Sequence, residues 1–437
     1  MTFDASNDES TSKPFTADEA CARRLDAEDP LAGYRERFFI PKNPTGGELV
    51  YFAGNSLGLQ PTSTRALLDQ ELRDWAELGV EGHFHAKTPW YTYHETCRET
   101  GARLVGARPE EVVIMNSLTV NLHLMMATFY RPTASRHKIV IEAAAFPSDI
   151  YAVKTQLRFH GYDPSEALYV VKPRPGEYAI RTEDIADMLE RHGGEIALVA
   201  MSGVNYFTGQ MFDIPRITSA AKQQGCVVGF DLAHAVGNVP LQLHDWNVDF
   251  AVWCNYKYLN GGPGAIGGCF VHENHGHRTD LPRLGGWWGN DPKTRFRMHL
   301  EPEFIPQPGA DGWQISNPSL FALAPVRASY DLFDEVGMAA LRRKSVRLTA
   351  YLEFLIDDIS PERFEVITPR DPAQRGCQLS MLINDRPHEL LKALKADGVI
   401  CDFREPNVVR VAPVPFYNTF HEVWRFARIL ARHDRTR

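Results

Sequence analysis

Two ionisable side chains stand where short apolar runs of the sequence end. Asp231 closes the run Val227–Asp231, and Lys257 follows the run Phe250–Cys254. In a doubly wound α/β sheet, ligands bind outside the carboxyl ends of the strands, so both side chains are expected at one edge. A lysine amine forms a Schiff base with a carbonyl cofactor, and a carboxylate keeps a ring nitrogen protonated, which makes the ring an electron sink. The pair indicates such a cofactor. Taken singly, Asp231 also fits a helix cap and Lys257 a solvated surface lysine.

An anion site is predicted at Asn116–Thr119, between a strand-like run and the helical run Val120–Tyr130. Hydroxyl groups and free backbone N–H groups at a helix start bind anions, and the helix dipole strengthens the binding. The segment therefore indicates a phosphate site. Simple N-capping by Ser117 or Thr119 is the alternative.

Two further segments suit a flat, anionic ligand. Phe146, in Phe146–Asp149, could stack on a planar ring, while Ser148 or Asp149 could cap the following helix. Arg410 is a basic residue in an apolar run, and its guanidinium fork suits a carboxylate of the substrate. An internal salt bridge of Arg410 is the alternative.

No metal site is predicted. The sixteen histidines include no HExxH pair and no other convincing ligand spacing. The seven cysteines are an odd number without a CxxC pair, so neither a disulfide framework nor a zinc ribbon is expected.

The middle of the chain alternates between two apolar patterns. Short runs rich in β-branched residues are typical of strands, and amphipathic stretches between most of them are typical of helices. The alternation predicts an α/β fold with a mostly parallel sheet covered on both faces. The strand runs are Val112–Asn116, Lys138–Glu142, Ala167–Val171, Ala197–Ser202, Val227–Asp231, Phe250–Cys254 and Ile266–His272, and the helical runs include Val120–Tyr130, Asp149–His160, Glu183–Arg191 and Ile214–Gln224.

The C-terminal part has a different order of elements. A long helical pattern, Leu320–Asp357, precedes four short strand runs and two helical stretches, which predicts a smaller α+β domain. Those strand runs are Phe364–Thr368, Gln378–Ile383, Val399–Phe403 and Val408–Val411, and the helical stretches are His388–Asp397 and Thr419–Arg432. The predicted organisation is a flexible lead at 1–15, a segment at 16–60 packing on the small domain, a large domain at 61–315 and a small domain at 316–437.

The composition excludes several classes of protein. Hydrophobic residues make up 44% and charged residues 23% of 437 residues, enough apolar surface for large cores. The net charge of −8 argues against nucleic acid as the main partner. No apolar run approaches the roughly 18 residues of a membrane helix. The start of the sequence shows no secretory signal, so a cytoplasmic protein is expected.

Nine segments carry a resemblance when they are taken together. They are Phe52–Gly58, Phe146–Asp149, Tyr206–Gln210, Gly229–Gly237, Leu243–Trp246, Asn255–Asn260, Gly286–Gly289, Ile315–Pro318 and Arg410–Pro415. In this order they resemble the kynureninases, a family of the aspartate-aminotransferase-like (fold type I) pyridoxal-phosphate enzymes. The resemblance covers nearly the whole chain. It implies a large domain with a mostly parallel seven-stranded sheet and a smaller C-terminal α+β domain.

The resemblance implies pyridoxal 5'-phosphate as the cofactor and a role for each matching residue. Lys257 would be the Schiff-base lysine, Asp231 the partner of the pyridine nitrogen and Tyr256 an acid/base group. Arg410 would bind the α-carboxylate of the substrate. The other cofactor-binding residues would be Leu118, Thr119, Phe146, Pro147, Ser148, Asp149, Ser202, His234, Trp287 and Asn317, and the residues near the substrate ring would be His83, Ser316 and Asn317.

A homodimer with shared active sites is also implied, in which Trp287 and Asn317 reach the neighbouring subunit's site. Trp288 is the alternative to Trp287. The implied reaction is hydrolytic cleavage of the Cβ–Cγ bond of L-kynurenine or 3-hydroxy-L-kynurenine, giving alanine and anthranilate or 3-hydroxyanthranilate. Such a reaction serves tryptophan catabolism or pyridine nucleotide biosynthesis. Acceptance of both substrates is the expectation, without a predicted preference.

Two rival functions remain open at this point. A cysteine desulfurase or selenocysteine lyase needs a nucleophilic cysteine on a mobile loop, and Cys377 is the least implausible candidate. A cofactor-binding protein without catalysis is the second rival. The joint presence of Lys257, Asp231, His234 and Arg410 argues against it, because a decayed site should have lost at least one of them.

Overall fold

The computed structural model describes residues 15–435, so the predicted flexible lead lies outside the described residues except for Phe15. The strands of the described part are β1 (Val50–Tyr51), β2 (Val112–Ile114), β3 (Lys138–Glu142), β4 (Leu168–Val171), β5 (Ile196–Ser202), β6 (Val227–Asp231), β7 (Phe250–Trp253), β8 (Gly268–Val271), β9 (Phe364–Val366), β10 (Leu379–Ile383), β11 (Val399–Ile400), β12 (Asp402–Arg404) and β13 (Val408–Val411). The α-helices are α1 (Glu19–Ala27), α2 (Thr64–Leu78), α3 (Gly82–His85), α4 (Arg98–Val105), α5 (Leu118–Phe129), α6 (Pro147–Phe159), α7 (Pro164–Ala167), α8 (Thr182–His192), α9 (Ile214–Gln223), α10 (Glu273–Gly276), α11 (Leu320–Val336), α12 (Met338–Asp357), α13 (Pro387–Ala396) and α14 (Phe420–Arg435).

The predicted seven-stranded sheet is confirmed. Its strand order is β2-β8-β7-β6-β5-β3-β4. The strands β7, β6, β5, β3 and β4 pair in parallel, and β8 runs antiparallel to both of its neighbours. The carboxyl ends of the parallel strands therefore meet at one edge, which is where the ligand site of such a sheet is expected.

Alternate residues of each strand enter two different cores, because the side-chain period of a strand is two. In β7, Ala251 and Trp253 pack into one core and Phe250 and Val252 into the other. Residues of α4, α8, α9 and α11 belong to the first core, and residues of α5 and α6 belong to the second. A sheet that is buried on both faces needs apolar residues at every position, which explains the continuous apolar runs in the sequence.

Helix boundaries follow local capping chemistry. The Asp213 carboxylate accepts a hydrogen bond from the backbone N–H of Arg216 at 3.2 Å, and Pro215 occupies the first turn of α9. An N-cap carboxylate satisfies one of the free N–H groups of the first turn, and proline has no N–H to leave unpaired there. The buried face of α9 packs Ile214 and Ile217 into the core beside the sheet.

The long helix predicted at 320–357 is in fact two helices. Gly337 has φ +78°, a left-handed conformation that ends α11 and turns the chain into α12. The two halves pack differently, since α11 contributes Leu323 and Phe333 to the core of the large sheet and α12 contributes Leu348 and Leu352 to a separate C-terminal core. A continuous apolar pattern could not reveal this break.

The predicted smaller α+β unit is confirmed around an antiparallel sheet with strand order β12-β13-β10-β9. The single strand predicted at 399–403 is divided, since β11 pairs with the N-terminal strand β1 in parallel and β12 joins the small sheet. Among residues 15–435, no helix is both long enough and apolar enough to cross a lipid bilayer.

Candidate active site

The acid and the lysine predicted to act together lie at the same edge of the large sheet. Asp231 is the last residue of β6 and stands in register with Ser202 at the end of β5. Lys257 lies in the loop after β7 and is 9% exposed. Both border the same cleft at this edge of the sheet.

The cleft collects predicted residues from five separate connections of the chain. It is lined by Leu118, Thr119, Phe146, Asp149, Ser202, Val204, Tyr206, Asp231, Ala233, His234, Tyr256 and Lys257. Val204, Tyr206 and Ala233 had no predicted role. Tyr206 lies within one of the segments that carried the resemblance, so that segment was the available signal for it.

The Lys257 amine has a close partner in His234. Its Nζ lies 3.1 Å from Nε2 of His234 and 5.7 Å from the centroid of the Phe146 ring. Burial, with the charge of Lys257 beside it, holds the pKa of His234 well below the usual range. A neutral imidazole accepts a hydrogen bond from the amine without repelling it.

Two carboxyl groups of the cleft, those of Asp231 and Asp149, lie close to each other. The Asp231 carboxylate accepts a hydrogen bond from the backbone N–H of Ala233 at 2.7 Å. Asp231 therefore also caps the backbone of the following loop, which resembles the capping alternative considered from the sequence. Burial raises the pKa of Asp149 well above its usual range, and the neighbouring Asp231 adds to the rise. The side chains of Asp149 and Asp231 therefore form a close acidic pair in which burial favours the neutral form of Asp149.

A third buried acid lies behind them. Burial raises the pKa of Glu142, which stands at the end of β3. The backbone N–H of Ser202 donates to Oε2 of Glu142 at 3.2 Å, and the Ser202 hydroxyl donates to Oε1. Glu142 was missed in the sequence, although its position at the carboxyl end of a strand run was a usable signal.

The predicted anion site lies at the start of α5. Ser117 occupies the N-cap position but makes no side-chain capping bond, so simple capping by Ser117 is absent here. Oγ1 of Thr119 lies 3.1 Å from Oγ of Ser148, at the start of α6. Two helix N-termini with adjacent hydroxyl groups make a suitable anion site.

The start of α6 differs in detail from the prediction. The helix begins at Pro147 with Phe146 as its N-cap, so neither Ser148 nor Asp149 caps it. The Phe146 ring is 42% exposed and meets the Tyr206 ring edge to face, with centroids 5.3 Å apart. Its exposed face borders the cleft, where a planar ligand would stack.

Arg410 is 1% exposed and bound within the protein. Its Nη2 lies 2.6 Å from Oδ2 of Asp402, its Nε donates to Oδ1 of Asp402 at 3.3 Å, and its Nη1 donates to the carbonyl of Tyr206 at 2.6 Å. The internal salt bridge left open from the sequence is present, and the guanidinium also lies 5.6 Å from the ring centroid of Tyr206 in the cleft wall.

Seven predicted residues do not line the cleft of this chain: Pro147, Ser148 and Arg410, which adjoin residues that line it, and four others. His83 lies in α3 and its Nδ1 is 2.9 Å from the carbonyl of Val80. The Ser316 hydroxyl donates to Oδ1 of Asn317 at 3.3 Å, and both residues are exposed. Trp287 is half-buried. Its neighbour Trp288 is 2% exposed and packs under Arg295 at 4.4 Å, which leaves Trp287 as the more available of the two rings.

The segment Phe52–Gly58 packs against the loop that carries Lys257. The N–H of Gly58 donates to the carbonyl of Tyr256 at 2.8 Å. A Cβ at Gly58 would lie 2.3 Å from the carbonyl oxygen of Lys257, so only glycine allows this approach. The resemblance segment Phe52–Gly58 therefore supports the loop that carries the amine.

The cysteine that the desulfurase alternative would use is inaccessible. Cys377 is 0% exposed, its backbone N–H donates to Asn238, and burial raises the pKa of its thiol to about 12. A nucleophilic thiol needs a lowered pKa and access to the substrate. The hypothesis that Cys377 acts as a nucleophile is wrong.

Possible metal ligands meet at the opposite end of the sheet. Oxygen and nitrogen atoms of Glu111, His244 and His272 lie within 4.8 Å of one another. Each has a hydrogen-bond role, since Glu111 accepts from His244 Nδ1 at 2.9 Å and from two backbone N–H groups, and His272 Nδ1 accepts from the N–H of Asn274. These bonds explain the cluster without an ion.

Comparison with known proteins identifies the family of the chain. A sequence model of the kynureninase C-terminal domain matches residues 341–430. A kynureninase of Myxococcus xanthus is 59% identical over 422 residues, 96% of this chain and 98% of the relative. A kynureninase of Koribacter versatilis is 55% identical over 414 residues, 95% of this chain and 97% of the relative. The chain belongs to the kynureninase family.

Solved structures support the fold of this kynureninase-family chain. A cysteine desulfurase of Escherichia coli superposes with a TM-score of 0.74 at 16% identity, covering 92% of this chain and 98% of the other. A C-DES variant with glycine covalently linked to its PLP cofactor gives 0.74 at 16% identity, covering 90% and 98%. At such identity the likeness concerns architecture, and it confirms the predicted fold type I arrangement.

Proposed function

We propose that this chain is a pyridoxal-phosphate-dependent kynureninase, which hydrolyses the Cβ–Cγ bond of L-kynurenine and of its 3-hydroxy derivative. The products are alanine and anthranilate or 3-hydroxyanthranilate. The observation that supports the proposal most is that the Lys257 amine, its partner His234 and the Asp231 carboxylate line one cleft, in a chain of this family.

The donor set of the cleft fits pyridoxal phosphate. The Lys257 amine suits the aldehyde, Asp231 suits a protonated ring nitrogen, and the start of α5 with Thr119 suits the phosphate. The Phe146 ring offers a stacking face. When bound, the cofactor supplies a carbonyl carbon for amines and a cationic ring that withdraws electrons from the substrate's α-carbon.

The side chains of the cleft then remove and donate the protons of the reaction. Lys257 is the base that removes the α-proton, and its hydrogen bond with His234 orients the amine. The Asp231 carboxylate faces the ring nitrogen, and the high pKa of the neighbouring Asp149 limits competition from a second negative charge. Burial raises the pKa of Tyr256, so its phenol keeps its proton at neutral pH and has one to give. Tyr256 thus protonates the departing β-carbon after water adds to the γ-carbonyl.

Arg410 binds the α-carboxylate of the substrate in this proposal. The planar fork matches a carboxylate, and the Tyr206 carbonyl and Asp402 hold the guanidinium in place beside the cleft. His83, Ser316 and Asn317 contribute polar groups near the aromatic ring of the substrate.

The active enzyme is a cytoplasmic homodimer in this proposal. Large apolar side chains are exposed around the segments that carry Trp287 and Asn317: Trp75, Phe84, Leu284, Phe296, Leu300, Ile305 and Phe321. An apolar patch of this extent marks an interaction surface. A second copy on this patch would bring Trp287 and Asn317 to its partner's cleft. The free thiols of all seven cysteines support a reducing compartment.

A product assay tests the function. The purified protein, loaded with pyridoxal phosphate, is incubated separately with L-kynurenine and 3-hydroxy-L-kynurenine, and alanine and the aromatic acid are quantified. Equimolar products with both substrates are expected, and none with Lys257→Ala. A cofactor-loaded protein that forms neither product would contradict the substrate assignment, and release of sulfur from cysteine would favour the desulfurase.

A further inference from the structure

Three charged residues of the small sheet lie together behind Tyr206. The strands β12 and β13 are antiparallel, and Asp402 stands directly opposite Arg410 in their register. Arg404 is two residues from Asp402, so its side chain emerges on the same face of the sheet. The guanidinium carbons of Arg404 and Arg410 lie 6.0 and 5.6 Å from the ring centroid of Tyr206.

One carboxylate serves both guanidinium groups. Asp402 Oδ2 lies 2.6 Å from Nη2 of Arg410 and 3.2 Å from Nη2 of Arg404. Asp402 also accepts from the hydroxyl of Ser56. Among residues 15–435, the acid that forms an ion pair with Arg404 is Asp402, and the same Asp402 forms the ion pair of Arg410. The cluster therefore carries one positive charge in excess.

Arg404 has unused hydrogen-bonding capacity. Its Nε is buried and has no hydrogen-bond partner in the described part of the chain, while its side chain as a whole is 39% exposed. Each nitrogen of Arg410, in contrast, already has a partner, since Nε and Nη2 lie on Asp402 and Nη1 on the Tyr206 carbonyl. A buried donor without an acceptor costs free energy unless a ligand supplies one.

The positive charge of Arg404 reaches the cleft. The charges of Lys257, Arg410 and Arg404 all contribute to the low pKa of His234, whose side chain lines the cleft. The Tyr206 ring, on which both guanidinium groups lie, is part of the same cleft wall. Both guanidinium groups therefore lie directly behind the ring that forms this side of the cleft wall.

We propose that Arg404 is a second carboxylate-binding residue of the substrate site, acting with Arg410. The negative charge of Asp402 neutralises one of the two guanidinium groups and holds both side chains in position. The α-carboxylate of the substrate neutralises the other. The inference rests on the proposed function and deepens it, since Arg404 would contribute to selection of α-amino acids over their uncharged derivatives.

The test compares a charged substrate with its neutral analogue. L-Kynurenine and L-kynurenine amide, in which a carboxamide replaces the α-carboxylate, are assayed with the loaded native protein, Arg404→Gln and Arg404→Lys. The matched control is Arg386→Gln, because Arg386 is also partly exposed and paired with an aspartate on the small unit. We expect Arg404→Gln to raise KM for kynurenine about tenfold while kcat changes less than about twofold.

The neutral analogue separates binding from structure. If Arg404 binds the carboxylate, Arg404→Gln leaves KM for the amide within about twofold of native, and Arg404→Lys restores most of the preference for the acid. Equal losses for acid and amide would mean that Arg404 only supports the fold, and an unchanged KM for the acid would also overturn the proposal. Circular dichroism and cofactor loading identify a variant that fails to fold, and Arg404→Lys then carries the test.

A binding experiment distinguishes this inference from the proposed function. L-Alanine and L-alaninamide are titrated into the loaded proteins, and the absorbance of the bound cofactor is followed. Weaker binding of alanine, but not of alaninamide, to Arg404→Gln supports the inference even if the native protein cleaves no kynurenine. If kynurenine is cleaved and both titrations match those of native protein, only the role of Arg404 fails.

Discussion

The Lys257 amine lies 3.1 Å from Nε2 of His234, at the carboxyl edge of the large sheet. The low pKa of His234 keeps the imidazole uncharged, so it can orient the amine without opposing its charge. Asp231 and Asp149 line the same cleft, and the charge of Lys257 acts on Asp149. The predictions for the site depend on this grouping of one amine, one imidazole and two carboxyl groups.

Replacement of Lys257 tests the role of the amine. Lys257→Ala should lower kcat at least a thousandfold, because it removes both the amine that holds the cofactor and the base. Activity is measured as anthranilate release and cofactor binding as absorbance. Lys172→Ala, at an exposed lysine, is the control and should match native protein. Turnover by Lys257→Ala near the native level would exclude Lys257 as the base.

The two aspartates should respond differently to the same change. Burial and the neighbouring Asp231 raise the pKa of Asp149 well above its usual range, so the neutral side chain of Asp149→Asn should keep kcat within about fivefold of native. Asp231→Asn removes the charge that faces the ring nitrogen, and Asp231→Ala also removes the side chain. Each should lower kcat at least a hundredfold while cofactor is retained. Steady-state kinetics on the loaded variants measures both effects, and equal losses at the two positions would show that both acids are ionised.

Subunit mixing tests the shared active site. Lys257→Ala lacks the amine, and Asn317→Ala lacks a group proposed to act in the partner's cleft, so both homodimers should be nearly inactive. Co-refolding equal amounts gives half hybrid dimers, each with one native site, and about a quarter of native activity should return.

The control for mixing is Lys257→Ala with Asp231→Ala. Both changes fall within one cleft, so a hybrid dimer has no native site and no activity should return. Recovery equal in the two mixtures, or none in either, would contradict a site shared through Asn317. Light scattering measures the dimer independently.

Gly58 should tolerate no side chain. In Gly58→Ala the Cβ would lie 2.3 Å from the Lys257 carbonyl oxygen and 2.4 Å from Oδ1 of Asn260, so the lysine loop must move. We expect the Kd for pyridoxal phosphate to rise about tenfold or more and the Tm to fall. Gly33→Ala is the matched control, because its Cβ would meet nothing within 4 Å. Equal cofactor affinity in the two variants would show that the loop adapts freely.

His94 should make the stability of the protein depend on pH. Burial lowers the pKa of His94 to about 3, whereas an unfolded histidine titrates near 6.5. Below about pH 6.5 the unfolded state binds a proton that the native state does not, so the free energy of unfolding falls as the pH falls. From about pH 7.5 to about pH 5, native protein should lose about 2 kcal/mol more than His94→Gln.

Urea unfolding at several pH values measures this difference. His277→Gln, at an exposed histidine, is the control and should follow native protein. Parallel pH dependence of native protein and His94→Gln would mean that His94 is protonated in the folded state.

Much of the fold was predictable because the large sheet is buried on both faces. Each strand must then be a continuous apolar run, and the runs Lys138–Glu142 and Val227–Asp231 coincide with β3 and β6. The helix break at Gly337 was not predictable, since the apolar pattern continues across it and the change of packing partner is tertiary. The division of β11 from β12 has the same cause, because β11 takes its partner from the distant β1.

The apolar runs of the sequence show which residues end the strands, and thus that Asp231 and Lys257 share one edge of the sheet, and the motifs identify the family. Which charges meet depends on the folded chain: burial raises the pKa of Asp149 beside Asp231, Glu142 lies behind them, and Arg404 shares Asp402 with Arg410. Strand patterns are local, whereas a pKa and an ion pair depend on burial and on neighbours from distant parts of the chain.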